Sequence, residues 1–190
     1  MNFKKRNPKI YVLSGKAKSG KDYVASVMEK FYSNQKCIRI SYAYYLKDYL
    51  KRMNCWDGKE ETKPRELLQQ FGIELIKNQI SDTLLIERVK QDIEVFSYFY
   101  DVIFITDARR KEEIEMPKQT FSNVTTIRIE RKHYEDGLTE SERTHYSETA
   151  LDDYHDYDYV IFNHGEESDL KHQCEMILKE ESHGICKKES

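Results

Sequence analysis

The residues with the clearest chemical potential lie in one short glycine-rich segment near the N-terminus. Residues 15–22 match the pattern G-x-x-x-x-G-K after an apolar run and before a predicted helix. Glycines let backbone N–H groups converge on phosphate oxygens, and the helix that follows presents its positive end to the same anion. Lys21 can then reach the β- and γ-phosphates of a nucleotide. The segment predicts an ATP site formed by Gly15, Lys16, Ala17, Lys18, Ser19, Gly20, Lys21 and Asp22.

Asp22 stands where a hydroxyl residue usually binds Mg²⁺. An ionised carboxylate can hold Mg²⁺ directly or through water. It also suits the first turn of a helix, where negative charge is favoured. The sequence leaves both roles open for Asp22.

A second set of candidates follows another apolar run, residues 102–105. Asp107 comes just after it, and ligands of parallel sheets gather at the carboxyl ends of strands. Asp107 can hold Mg²⁺ there through water, or it can cap the helix that begins near Arg110. Arg109 and Arg110 follow immediately, and a guanidinium group suits two parallel hydrogen bonds to phosphate.

Further arginines lie outside these two segments. Arg65 begins a predicted helix, and Arg131 and Arg143 lie in a polar segment that is long enough to act as a lid. Lids that close over phosphates commonly bring arginines to the developing charge. The predicted catalytic residues are Lys21, Arg109 and Arg143; the predicted substrate-binding residues are Arg65, Asp107, Arg109, Arg110 and Arg131; and the predicted Mg²⁺ ligands are Asp22 and Asp107.

His145 and Glu148 have the residue types of an acid–base pair. Phosphoryl transfer depends mainly on positioning and charge neutralisation. We therefore expect a structural or substrate-contact role for these two residues rather than proton transfer.

The elements that must position these residues alternate between strands and helices. Short apolar runs at residues 10–13, 37–41, 102–105, 124–129 and 159–162 predict five strands, and segments with helical periodicity lie between most of them. This alternation predicts an α/β fold of three layers, with a mostly parallel five-stranded sheet covered by helices on both faces. Gly72 interrupts one helical stripe, and close packing against a neighbouring residue or a ligand would explain a glycine there.

Composition limits the class of protein and its partners. A length of 190 residues fits a single domain over residues 1–190, and a net charge of -3 does not favour nucleic acid or an acidic membrane. Cys37, Cys55, Cys174 and Cys186 lack the spacing of a zinc site. The apolar run at residues 10–13 is too short for a signal peptide or a membrane span, so we expect no targeting segment. We expect a cytoplasmic monomer or homodimer that binds small molecules.

Five segments together resemble the deoxynucleoside monophosphate kinases of phages and bacteria, over about residues 9–178. They are Ser14–Asp22, Lys63–Gln69, Thr106–Arg109, His145–Glu148 and Leu151–Gly165. The loop and the Asp-x-Arg pattern are also similar to those of animal-type phosphomevalonate kinase, whose loop likewise has Asp after the lysine.

The resemblance implies a nucleoside monophosphate kinase-like fold with an acceptor-binding segment at about residues 43–82 and a lid at about 131–156. It implies that Arg65 contacts the acceptor phosphate and that Asp107 and Arg109 line the same site. The implied activity is transfer of the γ-phosphoryl group of ATP, with Mg²⁺, to a phosphate monoester, preferably a (deoxy)nucleoside monophosphate. Phosphomevalonate as the acceptor, and a nucleotide-binding regulatory module without catalysis, are the alternatives.

Overall fold

Five parallel strands form one sheet in the computed structural model, which describes residues 3–132 and 137–182. The strands are β1 Lys9–Ser14, β2 Cys37–Ile40, β3 Val102–Ala108, β4 Val124–Glu130 and β5 Tyr159–Phe162. They lie in the order β2-β3-β1-β4-β5, and each pairing is parallel. The predicted five-stranded α/β sheet is confirmed, with each strand within a few residues of its apolar run.

Helices cover both faces of this sheet. Their bounds are α1 Lys21–Phe31, α2 Ala43–Arg52, α3 Arg65–Gln70, α4 Leu84–Phe96, α5 Lys111–Thr120, α6 Glu140–Thr144, α7 Tyr146–Thr149 and α8 Glu167–Ser182. A π-helix, Phe71–Ile80, continues directly from α3. Among the described residues, no helix combines the length and the apolar character needed to cross a membrane.

Alternate residues of the central strands fill two separate hydrophobic cores. Tyr11 and Leu13 of β1 pack with residues of α1 and α8, whereas Ile10 and Val12 pack with residues of α4 and α5. Both faces of the strand are therefore buried, which is why it reads as a continuous apolar run. Burying one such aliphatic side chain contributes about 1.5–3 kcal/mol. The result is the three-layer arrangement that the sequence predicts.

The strand order creates a crevice at the carboxyl end of β1. This strand pairs with β3 on one side and β4 on the other. Ligands of parallel sheets bind where such a change in strand order lets the loops diverge. The glycine-rich segment follows β1, and Asp107 lies at the end of β3. Both segments that the sequence predicts to bind ligands therefore lie at this crevice.

The helical stripe predicted across Gly72 consists of two kinds of helix. The α-helix α3 ends at Gln70, and the π-helix begins at Phe71. Gly72 is buried, and a Cβ atom at this position would lie 2.9 Å from Cδ1 of Leu46 in α2. The close packing expected at this glycine is confirmed, and it lets the π-helix approach α2.

The polar segment between β4 and β5 contains buried residues that its polar composition does not predict. It contains α6 and α7, and Leu151 just after them is buried in the core on the α4–α5 side of the sheet. Glu148 is also buried. Residues 133–136 of the predicted lid lie outside the described residues.

Candidate active site

The glycine-rich segment curves from β1 to α1 around a tight turn. Gly20, immediately before α1, has φ +105°, in the left-handed region that favours glycine. A Cβ atom there would lie 2.6 Å from the side-chain nitrogen of Asn163. Asn163 in turn donates a hydrogen bond to the carbonyl oxygen of Ser19, over 2.9 Å. The turn is thus supported by a residue just after β5, a strand that is separated from β1 by β4.

Lys21 folds back over the first half of its own loop. Its ammonium group donates hydrogen bonds to the carbonyl oxygens of Gly15, at 2.7 Å, and Lys16, at 2.8 Å. The side chain is buried. Burial lowers the pKa of Lys21 to about 7, and the positive charge of Arg109 contributes in the same direction. A phosphate between these cations would offset that repulsion and favour the charged lysine.

Asp22 lies in the first turn of α1, where both of its predicted roles are geometrically open. Its exposed side chain lines the cavity beside the loop. It makes no hydrogen bond or ion pair with any residue in the part of the chain that the structure describes. The carboxylate is therefore available to a cation, and its charge also complements the positive end of α1.

Asp107 is held by backbone amides at the end of β3. One carboxylate oxygen accepts from the N–H of Tyr42 at 2.8 Å, and the other accepts from the N–H of Ala43 at 2.9 Å. Asp107 thus caps the start of α2, whereas the sequence offered a cap for the helix after Arg110. Burial raises the pKa of Asp107 despite these hydrogen bonds. The residue fixes the position of α2 at the edge of the cavity.

Arg110 is committed to a buried ion pair. Its Nε donates to Glu113 of α5 at 2.7 Å, and both side chains are almost fully buried. Glu113 also accepts hydrogen bonds from the backbone N–H groups of Arg109, at 2.8 Å, and Arg110, at 3.2 Å. The pair therefore fixes the backbone from which Arg109 projects, and removing either partner would leave a buried charge uncompensated.

Arg109 lies at the centre of the crevice, against a carboxylate from the predicted lid. Its guanidinium group forms an ion pair with Glu148 of α7. The other oxygen of Glu148 accepts a hydrogen bond from the backbone N–H of Ala17 in the loop, at 3.0 Å. The buried side chain of Glu148 therefore connects the loop, the end of β3 and the lid.

These residues lie around a cavity of about 540 Å³. The loop residues Ala17, Lys18, Lys21 and Asp22 form one side of it. Beyond them, the cavity has an aliphatic end. That end is formed by Leu46, Leu68, Gly72, Ile73 and Leu85. A cavity of this size is typical of small-molecule sites.

Part of the cavity lining, the cationic wall, is a cluster of cations. It consists of Lys47, Lys63 and Arg65. Glu60 pairs with Lys63 at 2.9 Å and with Arg65 at 3.4 Å. Burial lowers the pKa of Lys47, and the nearby charge of Lys63 adds to this effect. The three cations offer donors to an anionic ligand, and Glu60, Asp107 and Asp22 partly balance their charge.

The remaining predicted residues lie at the rim. Arg131 is exposed and donates to the carbonyl oxygen of Lys18 at 3.3 Å, so it lies beside the loop. Arg143 is exposed on α6 and does not line the cavity, although α6 packs near α3. Lys16 pairs with Asp152 at 2.9 Å. The structure thus gathers the predicted Lys21, Asp107, Arg109, Arg110 and Arg65 around the cavity and leaves Arg131 and Arg143 outside it.

Three cations of the site, Lys47, Lys63 and Arg128, were missed by sequence reasoning. Lys47 is one of several charged residues on a helix and carried no distinguishing signal. Arg128 interrupts the apolar run of β4, which is a weak signal, and it lies opposite Ser14 of β1 in the sheet. Its guanidinium group lies 3.5 Å from the hydroxyl of Ser14 and contributes to the lowered pKa of Lys21.

The architecture is similar to that of solved structures that include two kinases. A shikimate kinase from Bacteroides thetaiotaomicron aligns with a TM-score of 0.52 at 12% identity, covering 90% of this chain and 97% of that one. The Mycobacterium tuberculosis APS kinase, solved with AMPPNP and APS, aligns with a TM-score of 0.51 at 9% identity, covering 92% and 97%. A protein from Thermus thermophilus aligns with a TM-score of 0.53 at 15% identity, covering 92% and 98%.

No family model matches the chain. At identities this low, the likeness to solved structures is one of fold. The chain therefore has the P-loop kinase fold, with a five-stranded parallel sheet between helical layers.

Proposed function

We propose that the protein is an ATP-dependent kinase that transfers the γ-phosphoryl group to a small phosphate monoester, with a (deoxy)nucleoside monophosphate as the acceptor. One observation carries the proposal. One cavity is lined both by the glycine-rich loop and by the cations Lys47, Lys63 and Arg65. A kinase that joins two phosphates needs two such anion sites facing each other, because both reactants are polyanions.

The donor side of the cavity follows from the loop. The backbone N–H groups of residues 15–22 and the start of α1 hold the phosphates of ATP. Lys21 leaves the carbonyl oxygens of Gly15 and Lys16 and binds the β- and γ-phosphates. Arg109, close enough to lower the pKa of Lys21, neutralises charge that develops on the transferred group.

Mg²⁺ fits the residues present on this side. Mg²⁺ is usually held by one or two carboxylates together with phosphates and water. Asp22 and Asp107 both offer carboxylates that line the cavity. Among residues 3–132 and 137–182, no group of three or more His, Cys, Asp or Glu is arranged to hold a metal alone. When bound, Mg²⁺ would supply charge neutralisation for the polyphosphate, with Asp22 as the residue that would hold it.

The acceptor side follows from the cationic wall. Lys47, Lys63 and Arg65 hold the acceptor phosphate, and the aliphatic end of the cavity takes the rest of the molecule. An oxygen of the acceptor phosphate forms a bond to the γ-phosphorus while the bond to the bridging oxygen breaks, which releases ADP. The attacking oxygen is already ionised, so no general base is required. This agrees with a site rich in cations.

Phosphomevalonate is the second candidate acceptor. Its support is the aliphatic end of the cavity, formed by residues such as Leu46, Ile73 and Leu85, which suits an aliphatic molecule. Asp22 after Lys21 is the other feature that favours it, through the resemblance of the loop.

A coupled assay of ADP release tests the proposal across a panel of nucleoside and deoxynucleoside monophosphates and phosphomevalonate. We expect ADP formation well above the rate with water for one class of acceptor. Arg65→Ala removes one charge from the cationic wall. It should raise the KM for the acceptor and leave ATP binding intact. ATP binding without turnover of any phosphate monoester would instead support a regulatory module.

A further inference from the structure

Glu148 is a buried side chain of the predicted lid that contacts both the phosphate loop and Arg109. It lies on α7, and its side chain is 5% exposed. One carboxylate oxygen accepts from the N–H of Ala17 at 3.0 Å, and the other pairs with Arg109. The buried carboxylate of Glu148 thus binds two hydrogen-bond donors beside the loop, the Ala17 N–H and the Arg109 guanidinium group. Both donors would also suit a phosphate oxygen.

The position of Ala17 shows which phosphate would lie there. Ala17 follows Lys16, whose carbonyl oxygen holds the Lys21 ammonium group at 2.8 Å. The lysine of such a loop reaches the β- and γ-phosphates, while the start of the helix holds the phosphates nearer the nucleoside. Ala17 is therefore at the outer end of the phosphate chain. Arg109, on the same carboxylate, faces the cavity at that end.

We propose that the carboxylate of Glu148 occupies the place of the γ-phosphate in the nucleotide-free protein and yields it only to a nucleotide that carries a γ-phosphate. The inference rests on the proposed binding of ATP at this loop. A carboxylate and a γ-phosphate cannot both accept the single backbone N–H of Ala17, and their negative charges repel each other beside the guanidinium group of Arg109. ADP leaves that place empty and is compatible with Glu148 where it is.

The lid is coupled to this exchange. Ser147, next to Glu148, lies 3.5 Å from the side-chain nitrogen of Gln69 in α3, which also donates to the carbonyl oxygen of Glu142 at 3.3 Å. Displacing Glu148 therefore moves a segment that touches the acceptor side of the cavity. Glu148 makes the lid respond to the γ-phosphate, and it acts as a positioning residue for Arg109.

Calorimetric titration of the full chain with ADP and with a non-hydrolysable ATP analogue tests this exchange in Glu148→Gln. The isosteric amide keeps an acceptor oxygen and removes the charge. We expect the Kd for the ATP analogue to fall about tenfold and the Kd for ADP to change less than about twofold, because one charged hydrogen-bonded competitor is removed. Glu94→Gln is the matched control, since it removes an exposed, ion-paired carboxylate outside the cavity.

An equal change for both nucleotides, or a weaker Kd for the ATP analogue, would overturn the inference and leave Glu148 as a structural link. Failure of the parent protein to bind either nucleotide would instead refute the proposed function. A measurement on the parent chain avoids dependence on the variant's folding. Hydrogen exchange in peptides covering α6 and α7 should rise with the ATP analogue and not with ADP; an equal response to both would also overturn the inference.

Discussion

The side-chain amide of Asn163 donates a hydrogen bond to the carbonyl oxygen of Ser19 across 2.9 Å, and this contact joins the end of β5 to the phosphate loop. The two residues are 144 positions apart. The loop therefore keeps its shape through a tertiary contact as well as through its glycines. The space beside Gly20 is taken by the same amide, which leaves no room for a side chain there.

Replacing Gly20 by alanine should damage the loop in two ways. The positive φ costs about 1–3 kcal/mol for a non-glycine residue, and the new Cβ would push Asn163 away from Ser19. We expect Gly20→Ala to lose nucleotide binding and to unfold at lower urea concentration than the parent. Gly165→Ala is the matched control, because Gly165 has a similar φ of +101° but open space around its Cβ position. Equal losses in the two variants would mean that the contact with Asn163 is unimportant.

Nucleotide binding should take up protons. Burial, with Arg109, lowers the pKa of Lys21 to about 7 in the empty protein. Bound phosphates favour the charged ammonium group and raise that pKa again. Near pH 8 we therefore expect uptake of about one proton with ATP, falling to about half a proton near pH 7. Calorimetry in buffers of different ionisation enthalpy measures this uptake, and binding heats that do not depend on the buffer would contradict it.

Lys21 should also make the stability of the nucleotide-free protein depend on pH. The unfolded chain keeps the Lys21 proton up to the ordinary pKa of 10.5, whereas the folded chain loses it near 7. Between these values the unfolded state binds more protons, so the contribution of Lys21 to stability rises with pH. Below about pH 7 the cost of the buried charge is fully present. Urea unfolding of the parent and of Lys21→Met should show this gain only in the parent; parallel pH profiles would count against it.

Asp107 should contribute to stability in the absence of any ligand. It accepts hydrogen bonds from two backbone N–H groups at the start of α2. Replacing a capping residue by alanine typically costs about 0.5–2 kcal/mol. We expect Asp107→Ala to lower the free energy of unfolding by an amount in this range and also to weaken acceptor binding, because α2 carries Lys47. An unchanged unfolding curve would show that the residue serves only a ligand.

Substitutions in the cationic wall should weaken binding of the acceptor without weakening binding of ATP. Losing one charged hydrogen bond costs about 1.5–3 kcal/mol, or roughly a 10- to 150-fold rise in the acceptor KM. We expect this rise in both Arg65→Ala and Lys47→Met, with the Kd for ATP nearly unchanged. Arg52→Ala is the control, since Arg52 is an exposed cation at the end of α2 outside the cavity. A comparable rise in Arg52→Ala would point to a diffuse charge effect.

Much of the fold could be predicted because its signals are local. The strands β1 and β3 are buried on both faces and so appear as uninterrupted apolar runs, and the loop after β1 has a pattern that needs both a strand and a helix beside it. The strand order could not be predicted, because it depends on which strands pair across long stretches of chain. The switch from α3 to a π-helix at Phe71 leaves no signal in the apolar spacing either.

The site could be predicted only where its residues belong to one segment. Lys21 and the loop share a motif, and Arg109 follows a recognisable strand. Glu148 meets Ala17 across 131 residues, and Asp107 meets Ala43 across 64. Such contacts are products of tertiary packing. Sequence reasoning therefore placed Asp107 at the correct strand end but did not anticipate that it caps α2.

The central claim is that the loop between β1 and α1 binds the polyphosphate of ATP. Calorimetric titration with ATP and Mg²⁺ tests it most directly, in the parent chain, in Lys21→Ala and in the control Lys30→Ala, which alters a lysine in the last turn of the same helix. We predict saturable binding at one site in the parent and in Lys30→Ala, and its loss in Lys21→Ala. The absence of binding heat in the parent with ATP or GTP, at any magnesium concentration, would contradict the claim.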